Sequence, residues 1–160
     1  MPMEMLLHIV NIEEGSSPIE IPLTDEPIYI GRISEGDEMR FVKGKQDISS
    51  RLGFPDLSIS RDHGELRYNG ATKTLEYIDH ESKNGAVLTE RVDMGMIRRR
   101  VGKRWNSQGK FINPDDPSIT DRGPCLKASI SLGEELGLGK YGGHYGEHYA
   151  LTLGMRVTGS

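Results

Sequence analysis

His148-Tyr149-Ala150-Leu151-Thr152-Leu153-Gly154-Met155-Arg156-Val157 alternates with a period of two. Tyr149, Leu151, Leu153, Met155 and Val157 fall on one face and the residues between them on the other. That is the pattern of a half-buried strand, because successive side chains of an extended chain point to opposite sides. Upstream, shorter strand patterns occur at 6–12, 19–23, 28–30, 39–42, 65–68, 75–78, 86–88 and 135–138, most of them bounded by Gly, Pro, Asn, Asp or Ser. No stretch carries helical periodicity with caps over three turns. Short strands at close spacing with turns between them predict an all-β domain, an antiparallel sandwich or barrel. Leu66, Tyr68, Leu75, Tyr77, Leu151 and Leu153 are its predicted core.

A chain of 160 residues suits a single domain over 1–160. Its 20 glycines and 8 prolines are scattered without period, which points to many turns and excludes a collagen-like chain. A net charge of −4 excludes a molecule built as a whole to sit on nucleic acid or an anionic membrane, so neither is an expected partner. Cys125 is the single cysteine, which rules out an internal disulfide and a multi-cysteine zinc site and suits a reducing compartment. There is no run near 18 apolar residues, and Met1-Pro2-Met3-Glu4-Met5 makes a poor signal peptide. The expected setting is intracellular, cytoplasmic or nuclear.

One segment stands apart in charge. Between 91 and 110 lie Arg91, Arg98, Arg99, Arg100, Lys103, Arg104 and Lys110 against one acid, Asp93, a local charge of +6. The segment runs on through Asn113-Pro114-Asp115-Asp116-Pro117 to Gly123-Pro124 without a clear strand pattern. It predicts a long basic loop inserted at about 91–128, projecting from the body with Trp105 pinning it, and open to trypsin between Arg98 and Arg104.

Three turns carry residues that a plain turn does not need: Gly31-Arg32, Ser60-Arg61-Asp62-His63-Gly64 and Ser82-Lys83-Asn84-Gly85. Arg32 offers a planar, permanently charged guanidinium that grips two phosphate oxygens at once. Ser60 adds a hydroxyl donor and Arg61 a second cation, while Lys83 supplies either a third cation or a solvated one. The order Gly-Arg, Ser-Arg-x-His, Ser-x-Asn-Gly resembles the forkhead-associated domain family. Leu132-Gly133-Glu134-Glu135-Leu136-Gly137-Leu138-Gly139 is similar to that family's late strand, with Glu134 in place of the usual Asp. The resemblance runs from about 19 to 157, interrupted by the basic segment.

The resemblance implies a two-sheet antiparallel β-sandwich of about eleven strands that binds phosphothreonine in a partner protein and is no enzyme. Arg32, Ser60, Arg61, Lys83 and Asn84 are then the phosphopeptide-binding residues, Asn84 holding the main chain of an extended peptide. Gly31, His63 and Gly85 support the site, His63 through hydrogen bonds inside the domain. The partner is a phosphoprotein and, behind it, a Ser/Thr kinase. Two further readings stand beside this one: a scaffold domain that needs no phosphate, and a nucleic-acid-associated adaptor working through the basic segment.

Other motifs carry less. Gly137-Leu138-Gly139-Lys140-Tyr141-Gly142 fits a dinucleotide fingerprint, but a strand follows where a helix is required, and no acidic residue occurs after Glu147. His144 and His148, four apart, would stand about 13 Å apart in a strand, too far to share an ion. No nucleophile motif occurs. No cofactor, metal or catalytic residue is expected.

Overall fold

The computed structural model describes residues 3–14 and 18–158. In chain order its strands are β1 (Met3–Asn11), β2 (Ile19–Pro22), β3 (Ile28–Arg32), β4 (Arg40–Val42), β5 (Ser50–Phe54), β6 (Gly64–Asn69), β7 (Thr74–Asp79), β8 (Ala86–Val92), β9 (Gly95–Val101), β10 (Lys127–Ile130), β11 (Glu135–Tyr141) and β12 (His144–Val157). They form two six-stranded sheets, ordered β2-β1-β12-β11-β8-β9 and β10-β7-β6-β3-β5-β4. Among the described residues no helix is long and apolar enough to cross a membrane.

The alternation in β12 does what its period requires. Tyr149, Leu151 and Leu153 point inward beside Leu7 and Ile9 of the neighbouring β1, and meet Ile30, Leu52, Phe54, Leu66, Leu75 and Tyr77 of the other sheet. The Phe54 and Tyr149 rings pack at 4.5 Å across the sandwich. Removing this apolar surface from water is the main stabilising term. Of the predicted core, Tyr68 is only half-buried. Met155 and Val157, on the inward face by pattern, are about half exposed where β12 pairs with the start of β1.

All nine sequence-read strands occur, and β5, β9 and β10 join them. β5 and β10 carry two inward apolar residues each, Leu52 with Phe54 and Ala128 with Ile130, too few for a periodic signal. The sandwich is antiparallel except for one pair: β3 and β5 run parallel, with Gly31 opposite Gly53. That pair ends both strands at the same edge of the sandwich, so the loops that follow them emerge side by side.

The basic segment is not the projecting loop expected from its composition. Its first part completes β8 and forms β9, which pairs with β8 from Ala86↔Val101 to Val92↔Gly95. Cross-strand partners hold the arginines: Arg98 donates to Glu147 at 3.0 Å, Arg99 lies 3.4 Å from Glu90, and Arg100 stacks over Trp105 and Tyr145. Composition hid the strand because its stabilisation is pairwise, from charge and ring contacts rather than apolar burial. The rest, 102–126, is closed by buried Asn106, whose side chain accepts from Gln108 and Lys110 N–H and donates to the Asp121 carbonyl. Limited trypsin digestion should therefore spare the bonds after Arg98, Arg99 and Arg100 and cut after exposed Lys103 and Arg104 first. Peptide mapping checks this; first cleavage within β9 would show that the strand opens readily.

Candidate functional site

β3 and β5 end, β6 begins, β7 ends and β8 begins at one edge of the sandwich, so the three marked turns meet there. Main-chain bonds lock them together. Arg32 N–H donates to the Ser60 carbonyl at 3.1 Å, His63 N–H to Ile30 at 3.0 Å and His80 N–H to His63 at 3.0 Å. Lys83 N–H donates to Ser60 Oγ at 3.0 Å. Two glycines permit the approach: a Cβ on Gly31 would stand 2.2 Å from the Arg61 carbonyl oxygen, and one on Gly85 2.0 Å from that of Val101, with Gly85 at φ 63°.

His63 is completely buried between two of the turns. Its Nδ1 accepts the Ser60 N–H at 3.1 Å and its Nε2 lies 2.9 Å from the Gly85 carbonyl. Only the neutral ring with hydrogen on Nε2 satisfies both bonds. Burial holds its pKa below the ordinary value of 6.5, outweighing the nearby Asp79 charge. Beside it, buried Asp79 accepts from Tyr77 Oη at 2.6 Å, Ser82 N–H at 2.9 Å and Ser82 Oγ at 2.7 Å, and Ser82 Oγ in turn accepts the Gly85 N–H. Sequence reading passed over Asp79 as a strand end; its only signal is a carboxylate closing an otherwise apolar strand face.

The 55–60 loop is anchored on the opposite sheet. Asp56 accepts from Ser58 N–H and Oγ and pairs with His148 of β12, while Lys140 N–H donates to Ser58 Oγ at 2.8 Å. Burial works against the Asp56 carboxylate, but the Ser58 and His148 bonds hold its pKa below the usual value. His148 also reaches Glu13 at 3.1 Å.

Arg32 and Arg61 share an open pocket of ≈ 320 Å³, completed by Ile33, Ser34, Asp37 and Arg40. The Arg32 side chain has one long contact, Nη1 to the Leu57 carbonyl at 3.4 Å. Ser60, Lys83 and Asn84 stand outside that lining. Ser60 Oγ accepts from Lys83, which leaves its own proton to donate. Asn84 turns its amide onto the Ser58 carbonyl at 2.8 Å, and the Lys83 side chain is exposed. Arg40, a plain strand residue by pattern, is the lining cation that sequence reading missed; only its place after the turn would have marked it.

Below the site, His80 bonds Asp62 at 2.6 Å and Glu65 at 2.9 Å, and Arg67 donates to Glu65 at 2.6 Å. Burial alone would lower the His80 pKa, but the two carboxylates raise it above 6.5. A raised histidine contributes stability that is present below its unfolded value and lost as pH rises through the folded one. His63 works oppositely, losing stability as pH falls below 6.5. The melting temperature of wild type should therefore fall relative to His80→Gln as pH rises from about 6 to 8. Parallel curves for the two proteins would assign His80 no stabilising charge.

No protein-family model matches the chain, and no curated protein does. Solved structures match it. Full-length yeast Pml1p is 16% identical with a TM-score of 0.52, covering 96% of this chain and 83% of that one. A structure of the yeast Pml1 splicing factor, described with its integration into the RES complex, gives 15%, 0.51, 96% and 80%. The FHA domain of the CT664 protein from Chlamydia trachomatis aligns over 94% of this chain and 95% of that one, at 15% identity and a TM-score of 0.49. Two six-stranded sheets, with Gly31-Arg32, Ser60 to His63 and Ser82 to Gly85 gathered at one edge, make this chain an FHA-like β-sandwich.

Proposed function

We propose that the chain is a phosphothreonine-dependent protein-recognition module and no enzyme, acting as one domain with 91–128 as an ordered insertion. The observation that carries the reading is the pocket shared by Arg32 and Arg61 on loops pinned to one another by main-chain bonds. Main-chain bonds fix the loops that bring the two guanidiniums to one pocket, so replacing the hydration of a dianion requires ordering the two side chains and not the loops. Ser60 Oγ adds a donor at its rim. Asn84, its amide held by Ser58, keeps Oδ1 to accept a main-chain N–H of an extended peptide. The partners are intracellular phosphoproteins made by a Ser/Thr kinase. The adaptor reading through basic residues loses ground because Arg98 and Arg99 are paired with Glu147 and Glu90.

Isothermal titration of matched phosphothreonine, phosphoserine and unmodified peptides, chosen from an oriented library, tests the proposal. Phosphothreonine should bind best, since its γ-methyl restricts the phosphate before binding. Asn84→Ala should weaken the phosphopeptide several-fold while inorganic phosphate binds nearly as before. Equal binding of the unmodified peptide would replace this reading with the phosphate-independent scaffold.

A further inference from the structure

The outer face of the β3-β5-β4 corner holds more positive charge than one phosphate uses. Arg32, Ile33 and Arg40 line both the first pocket and a neighbouring one of ≈ 250 Å³, whose lining is completed by Gly31, Val42, Arg51, Leu52 and Gly53. Gly31 and Gly53 lie opposite each other in the parallel pair, which lets the Arg61 main chain approach the first and the Ile33 side chain the second. Arg51 is placed independently: its Nη2 lies 3.6 Å from where a Gly31 Cβ would stand. Ile33 and Val42 form the walls.

Four arginines, Arg32, Arg40, Arg51 and Arg61, thus line two neighbouring pockets whose linings hold a single carboxylate, Asp37, which reaches Arg40 at 3.8 Å. A phosphate dianion between Arg32 and Arg61 leaves net positive charge at Arg40 and Arg51. Arginine costs more to leave unpaired beside a peptide that excludes water than in open solvent. We infer that Arg40 and Arg51 form a second anion subsite, which takes a second phosphate on the same peptide and makes the chain a reader of doubly phosphorylated segments. This rests on the phosphopeptide reading of the first pocket. A carboxylate presents a smaller charge with fewer oxygens than a phosphate, so a planar fork at each arginine favours the phosphate.

The probe is a peptide set with one fixed phosphothreonine and a second phosphothreonine, or a glutamate, walked through five positions on either side. At one or two spacings the second phosphate should raise affinity by about tenfold, the worth of one or two exposed charge-assisted bonds. Glutamate there should give less than half of that factor. Arg51→Ala should bring the ratio of double to single affinity close to one, and Arg51→Lys should restore part of it. Arg32→Ala should lose both peptides. No gain at any position, or a gain that survives both Arg51→Ala and Arg40→Ala, overturns the subsite while single-phosphate binding keeps the first reading intact. A gain equalled by glutamate overturns the second phosphate in favour of an acidic side chain. If neither singly nor doubly phosphorylated peptides outbind the unmodified one, the first reading fails and this inference with it.

Discussion

Arg32→Ala is expected to cost about 2–5 kcal/mol of phosphopeptide affinity, roughly 30-fold or more, because it leaves a dianion short of its two-pronged partner. The half-exposed position of Arg32 puts the effect toward the lower end of that range. Stability should stay within about 0.5 kcal/mol of wild type. The reason is local: the side chain makes a single 3.4 Å contact, to Leu57, whereas the loop is held by the Arg32 main-chain N–H, which alanine keeps. Arg32→Lys should recover a minor part of the loss, since it restores the charge and not the fork. Titration calorimetry on both variants, with thermal melts of each, checks the separation. An Arg32→Ala protein that binds the phosphopeptide like wild type would empty the shared pocket of its function.

His63→Ala should do the reverse, lowering stability first and binding only as a consequence. It strands the Ser60 N–H and the Gly85 carbonyl, opens a cavity at a fully buried position, and unties two of the three turns. Two unsatisfied buried groups and a void together cost roughly 3–5 kcal/mol. For a domain of this size that is a fall of about 10 °C or more in melting temperature. His63→Gln, which retains an acceptor and a donor near the same places, should recover part of the loss. Chemical denaturation of the three proteins measures it. A His63→Ala protein as stable as wild type would show that the turns hold their arrangement without the imidazole bridge.

The fold was legible wherever burial repeats with the period of a strand. Residues 148–157 announced β12, and the inward placing of Tyr149, Leu151 and Leu153 follows from that alternation alone. The two short strands with only a pair of inward residues, β5 and β10, gave too little apolar signal to separate from turns. β9 was illegible for a different reason. Its arginines, Arg98, Arg99 and Arg100, have side chains held by Glu90, Glu147, Trp105 and Tyr145, contacts that an alternation of apolar residues does not register.

The candidate site divides along the same line. Residue types and their order in the chain singled out the three turns, because a fork-shaped cation after glycine and a hydroxyl before an imidazole are chemistry a simple reversal does not require. Which side chains share a pocket was decided only in three dimensions. The parallel pairing of β3 with β5 brings the loops after both strands to one edge, where Arg61 joins Arg32 and where Arg40 and Arg51 reach the same face. Asp56, which ties the 55–60 loop to β12, and His63, which ties the Ser60 turn to Gly85, act across the fold. The sequence by itself determined the strand character and the identity of the anion-gripping turns, since both are local properties of neighbouring residues. Convergence, cation count and rigidity came from tertiary structure, since strand pairing and buried hydrogen bonds join residues far apart along the chain.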